Sequence, residues 1–105
     1  MYIQIVTLHL RDLSEDAFRQ ACQQLAPVIA EVPGLISKVF LANATTNTYG
    51  GVYAWRDRSA MESFKASEIF QGLAANPNLV DVGSEEFGVF EEPTRITRGF
   101  AAVAA

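Results

Sequence analysis

Apolar positions recur along this chain with two different periods, and the places where the period changes mark its elements. Tyr2 to Leu10 is rich in Ile, Val, Thr and Leu, is short for a helix and ends at the charged pair Arg11-Asp12, so a strand is predicted. Ser14 then offers an N-cap, Glu15 and Asp16 place negative charge in a first turn, and Phe18, Ala21, Cys22, Leu25, Val28, Ile29 and Val32 follow at helical spacing. The helix they predict ends at Pro33-Gly34. Pro27 lies inside it and predicts a kink or an early break near Gln23-Gln24.

Leu35 to Asn43 is β-prone, Ala44 to Asn47 is a plausible hairpin connection, and Thr48 to Arg56 makes the returning strand. Gly50-Gly51 weakens that strand unless the chain bulges there or something packs closely on the backbone. Ser59 and Glu62 have capping-box spacing before a second helix carrying Met61, Phe64, Ile69, Phe70 and Leu73. The apolar phase slips between Phe64 and Ile69, and Ser67-Glu68 can cap a new turn, which predicts two short helices or one bent one. Leu79 to Val82 and Glu86 to Glu91 alternate around Gly83 as a last strand with a bulge or kink. The expected domain is residues 1–93, followed by a C-terminal tail, 94–105, with no pattern strong enough to assign.

The order β-α-β-β-α-β is that of an α+β, ferredoxin-like sheet with both helices on one face. Its other face is the difficulty. In the first strand Ile3 and Ile5 share one parity while Val6, Leu8 and Leu10 share the other; in the second, Val39 and Leu41 stand against Ile36 and Phe40. A sheet solvated on one side alternates more cleanly, so the second face is expected to be buried in a two-fold homodimer.

Composition narrows the function. The 105 residues make one domain, and 50% hydrophobic with 19% charged residues is a globular balance. A formal charge of −4 argues against a phosphate-backbone ligand, so no nucleic acid is expected. No apolar run is long enough to span a membrane, and the N-terminus lacks a secretory pattern, so the expectation is a cytoplasmic protein off the membrane. One histidine and one cysteine exclude, within one chain, zinc or iron sites that need two imidazoles or a thiolate cluster.

Val32-Pro33-Gly34-Leu35-Ile36-Ser37-Lys38-Val39-Phe40, Tyr49-Gly50-Gly51-Val52-Tyr53-Ala54-Trp55 and Ser59-Ala60-Met61-Glu62-Ser63-Phe64 together resemble the YdhR-type monooxygenases, small dimeric α+β barrels related to the antibiotic-biosynthesis monooxygenases. The resemblance covers most of the chain. It implies protomers paired sheet to sheet, and oxidation of aromatic, polyketide-like anthrones or quinols by molecular oxygen without flavin, haem or metal. Fold likeness does not decide function, so a non-catalytic small-molecule binder and an isomerase or cyclase stand as alternatives.

Oxygenation without a cofactor needs a pocket for a flat ring, a group that takes a proton and donors for the anion. Tyr49, Gly51, Tyr53 and Trp55 share one parity of their strand, with Gly51 leaving room for a ring. His9, the one side chain that ordinarily titrates near neutrality, is the candidate base, expected within reach of that face with Tyr53 and Trp55. Its place on a strand departs from haem-degrading relatives, whose iron ligand comes from a helix. Lys38 is a candidate anion-holding cation, expected at the rim. Asn43 is a candidate donor with a competing turn role, and Phe64 and Phe70 are candidate pocket walls. Cys22 reads as a core thiol. Asp81, Glu85, Glu86, Glu91 and Glu92 read as a solvated edge rather than a metal site.

Overall fold

The computed structural model describes residues 1–100. Its elements are β1 (Tyr2–Leu10), α1 (Glu15–Ala30), β2 (Leu35–Asn43), β3 (Thr48–Trp55), α2 (Arg58–Lys65), α3 (Glu68–Ala75), β4 (Leu79–Gly88) and α4 (Glu91–Ile96). The four strands form one antiparallel sheet in the order β2-β3-β1-β4, the ferredoxin-like arrangement.

Parity follows from the register. Tyr2, Gln4, Val6 and Leu8 pair with Trp55, Tyr53, Gly51 and Tyr49, and all of them face the helices. Val6, Tyr53 and Trp55 pack with Ile29 of α1 and with Met61 and Phe64 of α2, while Leu8, Tyr49 and Leu79 form a second cluster nearer the hairpin end. The other face carries cross-strand rows Val39-Val52-Ile5 and Ala54-Ile3-Phe87, with Val39 58% and Phe87 46% exposed. Among the described residues no helix is long and apolar enough to cross a membrane.

Several local expectations are corrected. Helix α1 runs unbroken through Pro27, which lies on its exposed side where the unpaired Gln23 carbonyl can meet water. The cap of α2 is Asp57, whose carboxylate accepts from the Ala60 amide at 2.9 Å; Ser59 is already inside the first turn, and Glu62 pairs with Arg58 at 3.5 Å instead. Ser67 does cap a separate α3. At Gly50-Gly51 the register is continuous and close packing on the backbone, the other expected reason, holds; the expected bulge of the last strand falls beside Gly83, at Asp81-Val82, where Asp81 takes a φ of 55°, and an unexpected one falls at Ile36 in β2. The last strand ends at Gly88 rather than Glu91, and helix α4, Glu91–Ile96, crosses from the expected domain into the expected tail, of which residues 101–105 lie outside the described residues.

Candidate functional site

A cavity of about 280 Å³ lies between the inner face of the sheet and helices α1 and α3. Val6 and Leu8 of β1 form its floor with Gly51 and Tyr53 of β3. Phe18, Cys22 and Leu25 come down from α1 at helical spacing, and Ile69 and Leu73 from α3. The walls are overwhelmingly apolar, and into them β2 sends one cation.

That cation is Lys38. It pairs across the sheet with Tyr53, and the next inward position, Phe40, pairs with Gly51. The half-buried Lys38 places its Nζ 3.9 Å from the Phe40 ring centroid and 4.5 Å from that of Tyr53, cation-π geometry. A Cβ on Gly51 would lie 2.6 Å from the Lys38 Cε, so the bare glycine is where the lysine stem runs. The room at Gly51 is thus taken by Lys38, and the expected rim position gives way to an inward one. Gly50 has its own constraint: its φ of 151° and the Val6 carbonyl against it leave no space for a side chain.

Burial lowers the Lys38 amine to about 8, with Cys22 acting in the opposite direction. No carboxylate pairs with it among the described residues, where the ion pairs engage Arg19, Arg56, Arg58 and Lys65. Burial raises the Tyr53 phenol well above its ordinary value, which keeps it a neutral donor, and also raises the Cys22 thiol. Cys22 lines the cavity, so its place is at the wall rather than in the closed core.

The other candidates lie outside this cavity. His9 has the opposite parity to Leu8, and its Nδ1 is hydrogen-bonded to the Asn47 carbonyl at 2.7 Å. The Asn47 side chain bonds both polar groups of the Leu10 backbone, so this corner staples the hairpin to the end of β1. Asn43 accepts from the Thr46 amide in the hairpin turn. Tyr49 donates to Glu15 at 2.7 Å, which raises its phenol, and meets the Phe18 ring edge-on. Trp55 is fully buried, stacked 5.7 Å behind Tyr53 with the rings 4° from parallel. Phe64 closes against both of those rings, and Phe70 against Phe64.

A buried polar chain holds Trp55. Its Nε1 donates to Gln4 Oε1 at 2.9 Å, Gln4 Nε2 donates to Ser84 Oγ at 3.0 Å, and Ser84 donates to Glu86, which also accepts from Lys65 at 3.0 Å. Glu86 therefore faces the helices rather than a solvated edge, and Ser84 and Lys65 hold its carboxyl below the ordinary value. Gln4 and Phe40 are the residues whose importance the sequence conceals. A glutamine in an apolar strand is the visible signal for the first; nothing short of the register marks the second.

Residues 3–100 match the family model described as "Putative mono-oxygenase ydhR". Among solved structures the chain is similar to a putative antibiotic biosynthesis monooxygenase from Deinococcus radiodurans, at 16% identity over 87% of this chain and 94% of that one, with a TM-score of 0.69. It is similar to the haem-degrader MhuD of Mycobacterium tuberculosis, with two haems bound in its active site, at 17% identity over 86% and 96%, TM-score 0.69. It is also similar to SnoaB, a cofactor-independent oxygenase from Streptomyces nogalater, at 17% identity over 86% and 93%, TM-score 0.68. At these identities the likeness is one of fold. No curated protein matches the chain.

Proposed function

Because the chain belongs to the putative mono-oxygenase family ydhR, we propose that it oxygenates a small aromatic, polyketide-derived substrate with molecular oxygen and no cofactor, in the cavity between sheet and helices. The observation that carries this is Lys38, a cation with no carboxylate partner among the described residues, held against two aromatic rings in an apolar pocket. A flat phenol or anthrone-like carbon acid meets the Phe40 and Tyr53 rings there, and its anion meets the lysine.

Lysine in its free-base form takes a proton from the activated methylene carbon of the substrate, and the resulting ammonium stays beside the carbanion. The anion gives one electron to oxygen, and the substrate radical and superoxide combine through a new C–O bond into a peroxide anion. Lys38 returns the proton, and the hydroperoxide loses its remaining carbon-bound hydrogen and its terminal hydroxyl as water, leaving a ketone. In the net reaction one methylene group and one molecule of oxygen give one ketone and one water, with one oxygen atom kept by the substrate and the other leaving in water. The apolar walls keep bulk water from the anion.

Haem does not suit these residues. The walls from α1 and α3 present no imidazole, the single histidine stands on the other face, and burial disfavours the Cys22 thiolate that would otherwise ligate iron.

The working unit in this proposal is a homodimer. The rows Val39-Val52-Ile5 and Ala54-Ile3-Phe87 give the uncovered face an apolar surface that a second copy can bury by two-fold symmetry.

The test is oxygen uptake and labelled-oxygen incorporation with a panel of anthrones on metal-stripped protein. One oxygen consumed per product, with one labelled atom in it, is the expected result. Binding without uptake would make the protein a small-molecule carrier, and conversion without oxygen would make it an isomerase or cyclase.

A further inference from the structure

Lys38 and Lys65 are the only lysines of the chain, and their surroundings differ in every respect that governs an amine. Lys65 donates to the Glu86 carboxylate at 3.0 Å, an ion pair that engages its amine. Lys38 has rings beneath it, apolar helices above it and, among the described residues, no acid paired with it. We propose that Lys38 is also a carbonyl-capturing amine, and that the cavity binds apolar aldehydes, aromatic ones above all, as imines on its Nζ.

The geometry favours that class over others. An aldehyde carries an apolar body that the walls from α1 and α3 can cover and a single reactive carbon that must reach Nζ. The cavity of about 280 Å³ suits a compact, flat aromatic ligand. The space over Gly51 lets the lysine stem lie along the strand, so the amine reaches the pocket without a long swing. A desolvated amine in an apolar pocket is the usual setting of a Schiff-base nucleophile.

The step balances without a co-reactant. The nitrogen lone pair attacks the aldehyde carbon, a C–N bond forms, and the carbonyl π bond opens to a carbinolamine. Both amine hydrogens then leave with the carbonyl oxygen as water, and the carbon is left doubly bonded to the Lys38 nitrogen. The reaction needs the free amine, and an amine near 8 is about half free at pH 8, whereas an ordinary lysine is almost wholly protonated there.

The inference rests on the same cavity as the oxygenation above, but its test needs no oxygen. Wild-type protein is incubated anaerobically at pH 8 with 2-naphthaldehyde and cyanoborohydride, and the reduced adducts are mapped by peptide mass spectrometry. Lys38 should be modified at least about tenfold faster than Lys65, and the N-terminal amine, a class of amine ordinarily as free as Lys38 at this pH, should show no preference for naphthaldehyde over acetaldehyde. Lys65→Arg should leave that rate unchanged. Equal modification of all three amines, or a Lys38 rate no higher with naphthaldehyde than with acetaldehyde, would overturn the proposal. Selective labelling alongside absent oxygen uptake would remove the oxygenase reading alone.

Discussion

The stem of Lys38 occupies the space that a side chain on Gly51 would take, with Cε 2.6 Å from where the Cβ would be. The two residues sit on adjacent strands, and the missing side chain of one sets the path of the other. Gly51→Ala should therefore displace the end of a flexible side chain at small cost to the fold, within about 1 kcal/mol. The same change should cut oxygen uptake about tenfold or more, because the amine no longer meets the substrate in line. Uptake unchanged in a folded Gly51→Ala protein would show that this path is irrelevant.

Burying the lysine amine costs stability, and the cost depends on pH. Its folded value, about 8, lies below the ordinary value for a lysine, so between about 8 and 10.5 the unfolded chain binds more protons and stability rises with pH. Cys22 and Tyr53, the titratable groups facing it, have their own values raised by burial and stay neutral at the start of that window. Lys38→Met should thus be more stable than wild type at pH 7, with an advantage that shrinks from pH 8 upward. Urea unfolding at pH 7 and pH 9.5 measures the difference; an advantage that grew with pH would contradict the assignment.

The network behind Tyr53 makes a separate prediction. Gln4→Leu leaves the fully buried Trp55 N–H without its acceptor and should cost about 1–3 kcal/mol, read as a lower midpoint in thermal or urea unfolding. Trp55→Ala should cost more, about 3–5 kcal/mol, through the cavity it opens. Loss of activity in Trp55→Ala therefore reports on the fold before it reports on chemistry. A Gln4→Leu protein as stable as wild type would mean that the indole finds another partner.

The uncovered sheet face predicts the oligomeric state. Ile5 lies in the Val39-Val52-Ile5 row, so Ile5→Asp should convert a dimer to a monomer in sedimentation velocity while the helix-facing core stays intact. A wild-type protein that sediments as a monomer would leave that face without its proposed partner.

The fold is legible in the sequence because each element announces itself locally. Ser14 and Ser67 are caps, Pro33-Gly34 is a stop, and Tyr49, Gly51, Tyr53 and Trp55 do share the helix-facing side. The site is less legible, because it depends on which residues meet across strands. His9 follows buried Leu8 and so points away from the cavity, yet nothing local says which parity of β1 faces the helices when both are apolar. Lysines ordinarily reach water, which predicts a rim position for Lys38; only its pairing beside Gly51 shows the groove that takes its stem inward. Likewise Glu86 belongs by composition to an acidic edge, and its register opposite Gln4 turns it toward Ser84 and Lys65.

In the proposed reaction Lys38, and not His9, does the proton work in the cavity. The direct measurement is the initial rate of anthrone-dependent oxygen uptake, corrected for autoxidation, in wild type, Lys38→Met and His9→Ala across pH 6 to 10. Lys38→Met should lose about a hundredfold or more, and His9→Ala should keep a rate close to wild type that rises with an apparent pKa near 8. A full rate in Lys38→Met together with a collapse in His9→Ala would make His9 the base and remove Lys38 from the chemistry.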